Sequence, residues 1–310
     1  MNTTTLNIKE VFPKDWLSNK GGGDIYISAY HCLTNIFDKS QKPYYIGEVL
    51  DAKYLIVKTE YQYQEIVTEF NGIEGGIPQF KSEIKSKTTK ETPIIMFLLK
   101  HAGFTESEVL HQLQASRGLM TLIEGENSHY WHLTDRVVHF PKENDSVLGK
   151  SQKSPEKSIA FLNAIRVDNF SKSIQQLDEG LRNKIYLALR WIDGAKHEQN
   201  SLDEFLKLWF AIETLIMPDT SNIKPIREFL ENAYSFNSDT VNSTFNIGKI
   251  FNLRSKIVHD GANIGIHSQL IEYLKALIYD YLCYLCKSSF ESKALGVINN
   301  KEYLAYEWMP

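Results

Sequence analysis

The stretch Gly248-Lys-Ile-Phe-Asn-Leu-Arg-Ser-Lys-Ile-Val-His-Asp-Gly261 decides how the second half of this chain is read. Steps of three, seven and eight from Ile250 reach Leu253, Ile257 and Val258, so one helical face is apolar. Arg254 and His259 are charge-bearing groups on this otherwise core-seeking segment. Gly261, just after His259-Asp260, suits a left-handed cap that ends the helix. Spacing alone fits a helix with a solvated arginine and a capping histidine.

Working outward, the neighbouring segments carry the same period. Leu181, Ile185, Leu189 and Ile192 form a helical stripe, ended in this reading by Asp193-Gly194. Ser201-Leu-Asp-Glu204 reads as a capping box for a helix that Pro218 stops near Met217. Ser171–Leu177 contributes an element, Ile226–Tyr234 a shorter helix, and Ser268 to about Ser288 a long one. Helices with short connections predict an all-α, up-and-down bundle over residues 155–310. Cys283 and Cys286 form a C-x-x-C inside its last helix, with neither a second pair nor a histidine partner. They read as small apolar residues rather than a redox or zinc motif.

The residues carry a resemblance to a known family. Arg254-Ser-Lys-Ile-Val-His259 resembles the R-x4-6-H signature of HEPN domains, helical bundles of many ribonuclease toxins and anti-phage proteins. Asp260-Gly261 looks like the His-Gly ending of the Apea-like branch with one residue inserted. Leu208-Trp-Phe-Ala-Ile-Glu213-Thr-Leu-Ile216 is similar to that branch's Trp-x-Ala-x-Glu-x-Leu helix, and Leu189-Arg-Trp191 to the aromatic helix before it. The resemblance spans Arg182 to Phe290 and is silent on the first 150 residues. It implies a metal-independent endoribonuclease with no cofactor, in anti-phage defence or toxin-like growth arrest. It also implies an RNA substrate and a homodimer through the helical bundle, with signature helix against signature helix.

In that implied chemistry a ribose 2′-OH attacks the neighbouring phosphate. Histidine, with an ordinary pKa of about 6.5, moves a proton near neutrality, and arginine offers phosphate a planar fork of donors. Arg254 and His259 are therefore the catalytic candidates. On a regular helix, residues five apart lie about 140° around the axis, so the two do not share a face. Either the helix loosens at His259-Asp260-Gly261, or the groups converge with those of a second subunit. Ser255 fits a phosphate contact or a solvated helix position, and Lys256 an RNA-backbone contact or an ordinary exposed lysine. Glu213 would position Arg254 or form a purely structural ion pair, and Asp260 would offset the local positive field. The inserted Asp260 keeps a second reading open, a non-catalytic module that binds nucleotide or RNA or acts as a scaffold.

Residues 1–145 read as a mixed α/β domain with a sensor or regulatory role, open to a regulatory protein or a phage trigger. Asp24–Tyr30, Tyr44–Val49 and Lys53–Lys58 alternate like strands. Gly21-Gly22-Gly23 lacks the lysine and helix of a phosphate cradle and reads as a turn. Asn71–Pro78 reads as a loop and Lys81–Thr92 as a charged connector. Ile94–Leu99 followed by Gly103 reads as a short helix, and Thr105-Glu-Ser-Glu108 opens a second through Leu113. After Gly118, Leu119–Ile123 and Tyr130–Leu133 read as a hairpin. That order, around 93–135, is the order of a winged helix, with Gln112, Gln114 and Arg117 facing a groove or a partner. Glu124 and Glu126 at the hairpin tip would repel phosphates, which favours protein packing over DNA. His129, His132 and His139 have no cysteine or carboxylate cluster beside them, so surface histidines are favoured over zinc. Lys142–Ser158 is the expected linker, and the aromatic tail from Tyr303 to Pro310 is expected to dock.

Bulk composition narrows the classes. Thirty-four Lys+Arg against 38 Asp+Glu give a net charge of −4, which argues against a broad basic coat for nucleic acid. No apolar run is long enough for a membrane span, and the first ten residues lack a secretory pattern. Three cysteines make no disulfide framework, which suits a reducing cytoplasm.

Overall fold

The computed structural model describes residues 2–7, 24–32, 44–100, 103–129, 131–139, 145–151, 164–262 and 264–300. The chain is α+β, with an N-terminal antiparallel sheet and a C-terminal helical region. It divides into two compact units: 1–47, 52–109 and 127–162 form a sheet unit, and 48–51, 110–126 and 163–310 form a helical unit.

The sheet unit contains β1 (Asn2–Asn7), β2 (Asp24–His31), β3 (Tyr44–Val49), β4 (Ala52–Glu74), β5 (Ile77–Lys100), β6 (Trp131–His139) and β7 (Asp145–Ser151). Their order is β6-β2-β5-β4-β1-β7, with β3 also pairing β4. The core on one face is Ile25, Ile27, Ala29, Leu55, Val57, Ile94, Met96, Leu98, Leu133 and Val138. Tyr30 and Phe97 lie on the other face, with the buried His129 ring 5.3 and 5.4 Å from their centroids.

Several sequence expectations are corrected here. Ile94–Leu99 is strand, not helix, and all six residues are buried. A short unbroken apolar run suits a strand covered on both faces as well as it suits a buried helix, so period could not separate them. The loop at Asn71–Pro78 and the connector at Lys81–Thr92 are likewise parts of β4 and β5. Gly75 (φ 58°) and Gly76 (φ 81°) make the two-residue turn between Glu74 and Ile77, which only residues tolerant of positive φ allow. Asp145–Ser151, inside the expected linker, pairs with β1 as β7. Gly21–Gly23 and the tail from Tyr303 lie outside the described residues.

Among the described residues no winged helix forms at 93–135. The only α-helix described there is α1 (Glu106–Glu124), which Thr105 and Glu108 cap by reciprocal hydrogen bonds and which continues through Leu119–Ile123. Gly118 does not break it. A Cβ there would lie 1.9 Å from the Leu189 carbonyl oxygen of α3 (Glu179–Lys196), so glycine permits two backbones to approach. Arg117, expected to face a groove, is buried instead. Its Nε lies 3.1 Å and 3.2 Å from the two Asp193 carboxylate oxygens, and its Nη2 lies 2.8 Å from Oδ2. From Leu110 onward α1 belongs to the helical unit.

That unit adds α2 (Ala164–Gln175), α4 (Ser201–Ile216), α5 (Lys224–Tyr234), α6 (Ser238–Phe245), α7 (Ile247–Asp260), α8 (Ser268–Leu285) and α9 (Lys293–Ile298). Asp193-Gly194 does not stop α3, which runs on to Lys196 because Asp193 is tied inward to Arg117. The cap of α4 is Asn200, one residue before the expected box, and accepts from the Leu202 N–H at 2.9 Å. Asp280, in the middle of α8, caps α9 by accepting from the N–H groups of Lys293 (2.9 Å) and Ala294 (2.8 Å). Burial raises the pKa of that carboxyl, and these bonds, with one from the Tyr234 hydroxyl, hold it. Cys283 is buried, and burial pushes its thiol and that of Cys286 up, the latter to about 11, so both stay protonated at neutrality.

Candidate functional site

The site is built on α7 and α4. In α7, Ile250, Leu253 and Ile257 are buried, which fixes the rotation of the helix. Val258, assigned to the same stripe, is 43% exposed and lies at its edge. The helix stays regular through Asp260 and ends at Gly261 (φ 65°), whose N–H bonds the Lys256 carbonyl. Arg254 and His259 are thus five residues apart on an unbroken helix. The loosened-helix route to bringing them together is absent, and within one chain they sit about 140° apart.

Arg254 is turned inward. Its Nη2 lies 2.9 Å from Glu213 Oε1, with 12% and 7% of the two side chains exposed. The same Glu213 oxygen accepts from Trp209 Nε1 at 2.8 Å. Trp209 and Glu213 are four apart on α4, so both point from one face toward α7, and the Trp209 ring lies 6.2 Å from that of Phe251. The sequence reading paired Glu213 with Arg254 and left Trp209 without a role. The i,i+4 spacing of an indole donor and a carboxylate was the signal available. Arg254 Nε is buried with no hydrogen-bond partner, so part of its donor fork is not satisfied by protein.

The remaining candidates face solvent or nearly so. Ser255 is half-buried, while Lys256, His259 and Asp260 are exposed on the last turn of α7. Lys256 and His259 are three apart and share a side of the helix there. At the other end of α7 lies a feature the sequence did not reveal. An open depression of ≈ 460 Å³ is lined by Arg227, Asn242, Asn246, Gly248, Lys249 and Phe251 among others. Gly248 makes room for the Arg227 guanidinium, whose Nη2 would lie 3.3 Å from a Cβ at that position.

Among the described residues, His129 and His132 do not form a group that could hold a metal ion. His129 is buried beside the Ser128 hydroxyl (2.9 Å), and His132 Nε2 lies exposed, 3.1 Å from Asp135. Of His139 only the backbone, at the end of β6, is described. No described helix is long and apolar enough to cross a membrane.

Comparisons with protein-family models, with curated proteins and with solved structures gave no significant match.

Proposed function

We propose that the helical unit is a HEPN-like up-and-down bundle acting as a metal-independent endoribonuclease, completed by pairing α7 of one chain with α7 of a second. The observation that supports this most is the division of labour along α7. Arg254 is locked by Glu213 and Trp209 at mid-helix, and His259 is free to meet solvent one and a half turns later. A fixed guanidinium and an accessible imidazole are what phosphoryl chemistry at a ribose requires.

In this mechanism His259 takes the proton from the 2′-OH as its oxygen attacks phosphorus. The bond to the 5′-oxygen breaks, that oxygen takes a proton from water while the imidazolium returns its own to solvent, and a 2′,3′-cyclic phosphate and a 5′-hydroxyl remain. Arg254 turns its guanidinium toward the equatorial oxygens, where negative charge accumulates, and Lys256 holds the backbone. Two chains bring two copies of each group to one cleft, which makes a local basic site on an acidic protein. The sheet unit would then sense a trigger, in a cytoplasmic defence or growth-arrest setting.

A non-catalytic reading, an RNA- or nucleotide-binding or scaffolding module, is supported by the depth of the Arg254–Glu213 pair. A guanidinium held by a buried carboxylate is already neutralised. One experiment separates the two. Full-length protein is incubated with labelled RNA in EDTA and the ends are mapped. Cleavage to cyclic-phosphate ends, reduced about 10²-fold or more by His259→Ala and similarly by Arg254→Lys, is expected. RNA that is bound yet left intact under every condition would establish the second reading.

A further inference from the structure

The sheet unit carries a feature that the catalytic reading does not use. β4 pairs with β1 only as far as Gln62, and β2 pairs with β5 only from Ile94 onward. From Tyr63 to Lys87 the hairpin therefore extends as a two-stranded arm among the described residues, about 12 residues or ~40 Å long.

Its two faces differ in chemistry. One presents the cross-strand rungs Ile66–Ile84, Thr68–Ser82, Phe70–Phe80 and, past a bulge between Phe70 and Gly72, Ile73–Pro78. The exposures are large: Ile66 69%, Phe70 59%, Ile73 70%, Phe80 63% and Ile84 64%. The Phe70 and Phe80 rings meet edge to face at 5.8 Å, and the Thr68 and Ser82 hydroxyls bond to each other at 3.0 Å. The opposite face is charged, with Glu65 paired to Lys87, Glu83 to Lys85 (3.7 Å), and Glu69 opposite Lys81. A hairpin with this alternation and no covering layer among the described residues is marginal in water, so the apolar face calls for a partner.

We infer that this face docks on the same face of a second copy of the chain, forming a four-stranded, two-layer contact between the arms. The area matches. Five side chains at these exposures present roughly 700 Å² per copy, so face-to-face pairing removes at most roughly 1,400 Å², within the range of specific interfaces. The face is also self-complementary. It has apolar rungs on either side of a hydroxyl rung that is bonded within itself, as a two-fold contact requires. It carries no charge to select an acidic or basic partner, and no cation for nucleic acid. Lipid is a poorer fit, because both long edges of a lone hairpin expose backbone N–H and C=O groups that a bilayer cannot satisfy. The contact stands independently of catalysis, since an inert helical unit would leave it in place.

The test measures molar mass against concentration, by light scattering and sedimentation, for full-length protein and for Phe70→Glu/Phe80→Glu. The double variant is expected to lose one association step, or to weaken it at least about tenfold in Kd. Its thermal midpoint at dilution should stay near that of the parent, because both sites are exposed in the single chain. Lys81→Ala/Lys85→Ala, on the charged face, should leave association unchanged. Three results would overturn the inference: a monomer at all concentrations, association untouched by the glutamates, or binding of the parent to phosphatidylcholine–phosphatidylglycerol vesicles that they abolish.

Discussion

The two halves of the β4–β5 hairpin make an instructive comparison, because they are one pair of strands with two fates. In the proximal half, Lys53–Lys58 opposite Pro93–Leu98, apolar residues on both faces are covered, and Met96 and Phe97 are fully buried. In the distal half the same pairing carries Ile66, Phe70, Phe80 and Ile84 into solvent on one side. Alternation of apolar and polar residues makes a strand and chooses its faces. It does not say what lies over a face, and here, among the described residues, exposure begins where β1 and β2 stop flanking the hairpin.

Three measurements test that contrast. The largest effect is expected for Phe97→Ala, which empties a fully buried site beside Tyr30 (6.3 Å) and His129. It should cost about 3–5 kcal/mol in denaturant unfolding, and a loss under 1 kcal/mol would mean the proximal half is less covered than described. The next concerns His31, fully buried against Tyr61 (5.2 Å) where the covered half ends, with its pKa lowered from 6.5 to about 4 by burial. Between those values the unfolded chain binds the proton and the folded one does not, so stability present above pH 6.5 is lost as pH falls toward 4. The loss should be on the order of 3 kcal/mol, and His31→Gln should flatten the urea-midpoint slope over that window. The smallest effect is expected for Phe80→Ala, which should change the stability of the dilute chain by no more than about 0.5 kcal/mol. A cost like that of Phe97→Ala would show that the distal face is covered within a single chain.

Much of the helical unit was legible because its signals are local. Apolar spacing, the acidic start of α4, Pro218 and Gly261 all act within a turn or two of their own residue. The Glu213–Arg254 pair was expected only through the family resemblance, and the structure supplies the 2.9 Å contact. Gly118 and Asp193 misled because both look like helix breakers when isolated. Each owes its place in a helix to something distant: Gly118 leaves room for the Leu189 carbonyl, and Asp193 is tied to Arg117. Ile94–Leu99 misled for the converse reason, since burial on both sides erases the period that separates strand from helix.

From residues alone the chain reads as two parts, mixed α/β then helical, with one helix that carries Arg254 and His259 and has a defined end. Long-range packing settled the rest: most of α1 groups with the helices, Arg254 turns inward to Glu213 and Trp209, and the distal half of the hairpin keeps an exposed apolar face. The reason is range. Caps and periodicity are set by neighbours a few residues away, whereas burial depends on segments up to a hundred residues distant, which a local pattern does not encode.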